Sequence, residues 1–76
     1  MGDIGDFMAS HAFFKEQEGS QGRRYFLISG DIKIAYLWFK WALGGWNAIS
    51  FSDNSYTHIP TIEILNEFLM KHFKPE

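Results

Sequence analysis

The chain contains no cysteine. That absence removes disulfides and thiolate metal sites, two devices by which small domains often make up for a small core. A chain of 76 residues buries only about 60–65% of its unfolded surface, so its cohesion has to come from side chains with a large apolar area. Eight Phe, three Trp and three Tyr supply it, each ring able to bury roughly 150–250 Å². The expectation is one compact domain over residues 1–76, built on aromatic packing, with ring surface that a core of this size can run out of room to hide.

The clearest local pattern is helical, over residues 61–74. Ile62, Leu65, Leu69 and Phe73 line one stripe, widened by Ile64 and Phe68. Thr61 is placed to cap it, Glu63 suits the positive end of the helix dipole, and Lys71, His72 and Lys74 suit the negative end. Residues 6–18 read as a second helix, with Asp6 as N-cap, Phe7, His11 and Phe14 at i, i+4 and i+7, and Gly19 as the stop. Arg23–Ser29 and Trp46–Ser52 are rich in aromatic and β-branched residues and read as strands. The segment 31–43 admits two readings. Its length, with Asp31 as cap and Gly44 as stop, suits a helix. Its Ile, Tyr, Trp and Phe content and the two-residue turn Gly30-Asp31 in front of it suit a strand. The strand is preferred, giving an α+β domain of order α-β-β-β-α, a three-stranded antiparallel meander with two flanking helices; a helical 31–43 is the alternative.

A turn at Gly30-Asp31 pairs Leu27 with Ile34 and Tyr25 with Tyr36, and a turn at Ala42–Gly45 pairs Trp38 with Ile49 and Tyr36 with Phe51. Cross-strand partners project to the same side. One face then holds Tyr25, Leu27, Ile34, Tyr36, Trp38, Ile49 and Phe51, and the other holds Arg24, Phe26, Ile28, Lys33, Ala35, Leu37, Phe39, Trp41 and Trp46. Both are apolar, and only the second is basic. Two helices packed on the first face would leave the second open, and an open apolar face marks an interaction surface.

Charge follows the same division. Residues 23–40 sum to +3, residues 1–18 to −3 and residues 53–76 to −2, within a formal net charge of −2. The basic middle is either neutralised by acidic ends packed beside it or offered to an anionic partner. Met1–Asp6 has no basic residue and does not read as a signal peptide, and the richest apolar run, Ile32–Leu43, is interrupted by Lys33 and Lys40. A cytoplasmic protein that does not enter the membrane is the expectation.

Chemistry-bearing constellations are sparse. Ser10 and His11 are neighbours on the expected helix and would diverge by about 100°. His58 and Asp53 share a loop without a nucleophile elbow. Glu16, Glu18, Glu63 and Glu67 fall at solvent-face positions. His11, His58 and His72 lack metal-ligand spacing, and Ser52-Asp53-Asn54-Ser55 lacks the alternating acidic pattern of a calcium loop. Gly19-Ser20-Gln21-Gly22-Arg23-Arg24 could cradle a phosphate but has no P-loop Lys-Ser/Thr, and it reads first as a linker. No catalytic residue, metal or cofactor is expected.

The function that follows is a non-enzymatic protein-binding module. It would be an inhibitor, an adaptor or a phage-type accessory protein, and it would act through an aromatic and basic sheet face on another protein or a second copy of itself. Arg23, Arg24, Phe26, Lys33, Phe39, Lys40, Trp41 and Trp46 are the expected contact residues, since Trp and Arg often carry interface energy. Single-stranded nucleic acid, with bases stacked on the rings, is the alternative; the acidic pI of about 5.8 weighs against it.

Overall fold

The computed structural model describes residues 3–73. Its elements are α1 (Asp3–Ala9), β1 (Phe14–Glu16), β2 (Arg24–Ser29), β3 (Ile32–Lys40), a 3₁₀ turn (Trp41–Leu43), β4 (Gly45–Ser50), β5 (Tyr56–Ile59) and α2 (Ile62–His72). The strands form one antiparallel sheet in the order β1-β2-β3-β4-β5. The α+β class, the central meander and the two flanking helices are as the sequence indicates. The meander gains a short edge strand on each side. Segment 31–43 is strand followed by a 3₁₀ turn, so its helical alternative does not form.

The sheet grows from Gly30-Asp31. Gly30 sits at φ 61°, a left-handed conformation that glycine adopts without a Cβ clash, and Ser29 pairs with Ile32 and Ile28 with Lys33 across it. This is the register expected from the turn. One step further it changes: Leu27 pairs with Ala35, not Ile34, because a β-bulge leaves Ile34 as an extra residue in β3. The freed carbonyl of Ile34 accepts from the amide of Phe51 at 2.9 Å, so the irregularity leaves that group satisfied. From there Tyr25 pairs with Leu37, Phe26 with Tyr36 and Arg24 with Trp38. The second turn spans Trp41–Gly44, one residue earlier than expected, and pairs Lys40 with Gly45, Trp38 with Asn47 and Tyr36 with Ile49.

One extra residue exchanges the two sides of β2 relative to β3. Tyr25 and Leu27 join Ala35, Leu37, Trp46 and Ala48 in the buried core, together with Ile4 and Met8 of α1, Phe14 of β1, Ile59 of β5 and Leu65 and Phe68 of α2. Steric fit accounts for the choice. Ala35 and Ala48, both fully buried, leave room above the sheet for Met8, Leu65 and Phe68, whereas the opposite side of β3 carries Tyr36 and Trp38. The helices touch each other and share this one cluster, so both lie on the same face.

The first helix is shorter than residues 6–18 suggest, and Asp6 lies inside it. Past Ala9 the side chains of Ser10 and His11 both turn back to the Phe7 carbonyl, at 2.9 and 2.7 Å, a local alternative to continued helix. Phe14 then enters β1 opposite Leu27. The i, i+4 and i, i+7 contacts persist without the full helix: Phe7 stacks on His11 at 4.2 Å and meets Phe14 edge-on at 6.4 Å. At α2 the cap is as expected, with the Ile64 amide donating to Thr61 Oγ1 at 3.2 Å. Lys74, assigned to that helix's end, lies outside the described residues.

Candidate binding surface

With both helices on one side, the other side of the sheet is open. The register places Lys15 of β1, Arg24 and Phe26 of β2, Tyr36 and Trp38 of β3, Asn47 and Ile49 of β4, and Tyr56 and His58 of β5 there. Lys33 reaches the same side, its ammonium 4.3 Å from the centroid of the Phe26 ring, a cation–π contact. Lys40 follows two residues after Trp38, on the same side by strand alternation.

The aromatic rings, contributed by β2, β3 and β5, form a row across the sheet. Phe26 and Tyr36 lie 5.2 Å apart, Tyr36 and Trp38 are near-parallel at 5.7 Å, and Trp38 and Tyr56 lie at 6.2 Å. Phe26, Tyr36 and Trp38 are half-buried and Tyr56 is exposed. Beneath the end of the row sits Asn47, fully buried yet satisfied. Its amide nitrogen donates to the Gly45 carbonyl at 2.9 Å, and its Oδ1 accepts from the Tyr56 hydroxyl and from His58 Nδ1, the latter at 3.1 Å. Because that oxygen can only accept, His58 carries its proton on Nδ1. The knot fixes Tyr56 and His58 in place.

The strand positions of this face carry charge of one sign. Lys15, Arg24, Lys33 and Lys40 are four of the chain's seven basic residues, all exposed, and no carboxylate occupies a strand position on this side among the described residues. Glu16, at the neighbouring position of β1, projects the other way. Its carboxylate accepts from the Gly22 amide at 2.6 Å and the Ser20 hydroxyl at 3.4 Å. The Gly19–Arg24 loop therefore already holds an anion of its own chain at the place where a phosphate cradle was conceivable.

The eight expected contact residues divide evenly. Arg24, Phe26, Lys33 and Lys40 lie on the open face. Arg23, Phe39, Trp41 and Trp46 lie on the helix side, along a groove of about 980 Å³ bounded also by α1 and by the start of α2. Trp46 is 7% exposed and packs into the core, so its expected role as a surface anchor is corrected. Phe39 packs against that core, with the Arg23 guanidinium 5.5 Å from its ring centroid. Trp41 stands exposed on the 3₁₀ turn. The groove is electrostatically mixed, lined by Arg23 and by Asp6 and Glu63. Tyr25, on its floor, has its pKa raised by burial and by the nearby charges of Glu16 and Asp6.

Sequence reasoning placed Tyr36 and Trp38 on the covered face and did not single out Tyr56 or Lys15. The signal that could have found them is the pair of alanines: a strand side reading Ala35-Leu37, facing Ala48, is the side able to accept helices, which leaves Tyr36 and Trp38 outside.

The other constellations resolve individually. Ser10 Oγ and His11 Nδ1 approach to 3.2 Å, closer than helical neighbours would. Nδ1 is also 2.7 Å from the Phe7 carbonyl, which can only accept, so it carries the proton and is no base for Ser10. His58 is bound to Asn47 in β5. Asp53 instead accepts from the Ser55 amide at 3.0 Å, closing its own turn, and the hydrogen bonds from Ser55 lower its pKa. Among the described residues no group of three or more His, Cys, Asp or Glu could hold a metal ion, and no helix is long and apolar enough to cross a membrane.

Compared with known proteins, the chain matches no family model, and no curated protein or solved structure is significantly similar to it.

Proposed function

We propose that this chain is a non-enzymatic binding module whose working surface is the open face of the sheet, and that its partner is an anionic macromolecule. The observation that carries the reading is the coincidence of the Phe26–Tyr36–Trp38–Tyr56 row with four cations on that face, whose strand positions hold no carboxylate among the described residues. A partner surface pressed against the row gains apolar burial at its centre and charge pairing at its rim, the usual anatomy of an interface. An inhibitor or accessory protein acting on an acidic protein surface is the form this takes for a protein partner.

The test uses a polyanion as a generic probe. A protein of net charge −2 binds heparin at low salt only where its cations are gathered on one side. The native chain is expected to be retained at about 50 mM salt. Arg24→Ala with Lys33→Ala should pass through, and Arg23→Ala with Lys71→Ala, off the face, should be retained. Passage of the unmodified chain would sink the proposal.

A further inference from the structure

Resting on that reading, we infer that the open face holds a single-stranded nucleic acid, its bases on Tyr36, Trp38 and Tyr56 and its phosphates against Lys15, Arg24, Lys33 and Lys40. The objection drawn from composition is the acidic pI, and it assumes that charge is spread evenly. It is not. The carboxylates Asp6 and Glu63 lie beside the helix-side groove, Glu16 is turned into the Gly19–Gly22 loop and Asp53 into its own turn, while the open face carries four cations and, among the described residues, no carboxylate at a strand position; Asp31 sits in the β2–β3 turn at the end of that face, two residues from Lys33. A phosphate chain meets local charge within a Debye length of about 8–10 Å, so the face, not the sum over the chain, sets its attraction.

Ring geometry distinguishes this occupant from an acidic protein patch. An acidic protein surface would need its own apolar centre cut to fit three rings and its carboxylates set around them. A single strand supplies planar apolar groups and anions alternately along one flexible chain, and every base has a face to stack. Tyr36, Trp38 and Tyr56 span β3 to β5, with centroids 5.7 and 6.2 Å apart. Arg24 pairs directly with Trp38 across the sheet, and Lys15 with Phe26, so cations flank the row on the β1–β2 side. The ring of Phe26 is already capped by Lys33 and serves to hold that ammonium rather than to receive a base. A duplex keeps its bases stacked inside and offers the rings nothing, so discrimination for single strands is part of the inference.

The experiment is fluorescence anisotropy with a labelled oligothymidylate of about twelve nucleotides, run beside its duplex and beside the heparin assay. Four phosphate contacts give a slope of log K against log salt of about −2.8 for a single strand, a loss of about 50-fold between roughly 50 and 200 mM salt. Trp38→Ala should weaken binding by about 5- to 150-fold, the range for one stacked base. Trp38→Phe should recover most of it, which a merely misfolded sheet would not allow, and Trp41→Ala should change binding less than about twofold. Heparin retention without binding of the oligonucleotide overturns this inference and leaves the binding module standing, with an acidic protein as its partner. Loss of both overturns both. Equal affinity for duplex and single strand removes the role of the rings and overturns the inference. So does a dimer by light scattering that Trp38→Ala dissolves, because a second copy would then occupy the face.

Discussion

Asn47 offers the sharpest test of how the open face is assembled. It is a fully buried amide at the β4–β5 boundary, and its three hydrogen bonds reach Gly45, Tyr56 and His58. Asn47→Ala removes all three. An intramolecular hydrogen bond contributes about 1 ± 0.5 kcal/mol net, and a partner left buried and unpaired costs about 1–3 kcal/mol. Tyr56 is exposed enough for its hydroxyl to return to water, so its share stays at the net value; the Gly45 carbonyl and half-buried His58 recover less. The expected loss is about 2–3 kcal/mol. For a domain whose total stability is on the order of 4–11 kcal/mol, that is a Tm drop of roughly 8–24 °C. The assay is urea and thermal unfolding followed by tryptophan fluorescence and far-UV dichroism. A double-mutant cycle with Tyr56→Phe, which deletes only the hydroxyl, should give a coupling of about 0.5–1.5 kcal/mol. If Asn47→Ala costs less than about 0.5 kcal/mol, or if the two changes simply add, the knot is not what fixes β5 and the argument fails.

Two further outcomes follow from the covered face. Leu37, fully buried in the central strand between Tyr25 and Ala48, should cost about 2–5 kcal/mol as Leu37→Ala, seen as a lower urea midpoint at unchanged slope. Tyr25 has its pKa raised by burial and then by Glu16 and Asp6, so the folded state keeps the phenol protonated where the unfolded chain would release it. Its contribution is complete below the ordinary tyrosine range and is lost as pH rises through the raised value. Stability should therefore fall above about pH 10, and Tyr25→Phe should flatten that alkaline limb; an unchanged limb would place its origin elsewhere.

The elements that stand on local chemistry were legible in the sequence. Thr61 caps α2 because a hydroxyl at that position has a free amide to meet, and Gly30 turns β2 into β3 because the turn needs a residue tolerant of positive φ. Those two positions set the last helix and the β2–β3 hairpin. What could not be read was the bulge at Ile34. A turn fixes register only for the pairs beside it, and no local signal marks a single extra residue whose effect is to turn Ala35 and Leu37 toward the helices. The three-residue β1 and four-residue β5 were too short for a periodic pattern, and β1 lay inside an aromatic spacing that mimicked a helix. Two of the candidate contact residues moved to the groove side for the same reason: parity, once shifted by one, carries Phe39 and Trp46 to the helix side with Leu37, while Arg23 and Trp41 lie outside the strands.

The exposed row is hard to explain as a stability device. A sheet with helices on one side needs its other side only to be soluble and β-competent, and threonine, valine or lysine would serve at positions 36, 38 and 56. Aromatic neighbours do gain about 0.5–1.5 kcal/mol per pair beyond their area, but that gain would be larger inside the core. There Ala35, on the same strand as Tyr36 and Trp38, and Ala48 of the neighbouring β4 occupy core positions. At these positions the chain thus keeps two alanines beneath its helices and half-buried Tyr36 and Trp38 on the open side, the reverse of what maximal burial favours. It also keeps its edge strands short, which limits edge pairing with other copies. Such an arrangement leaves the open face able to exchange its hydration for another surface, and under the proposed function the four cations around it set the sign of the charge that surface would carry.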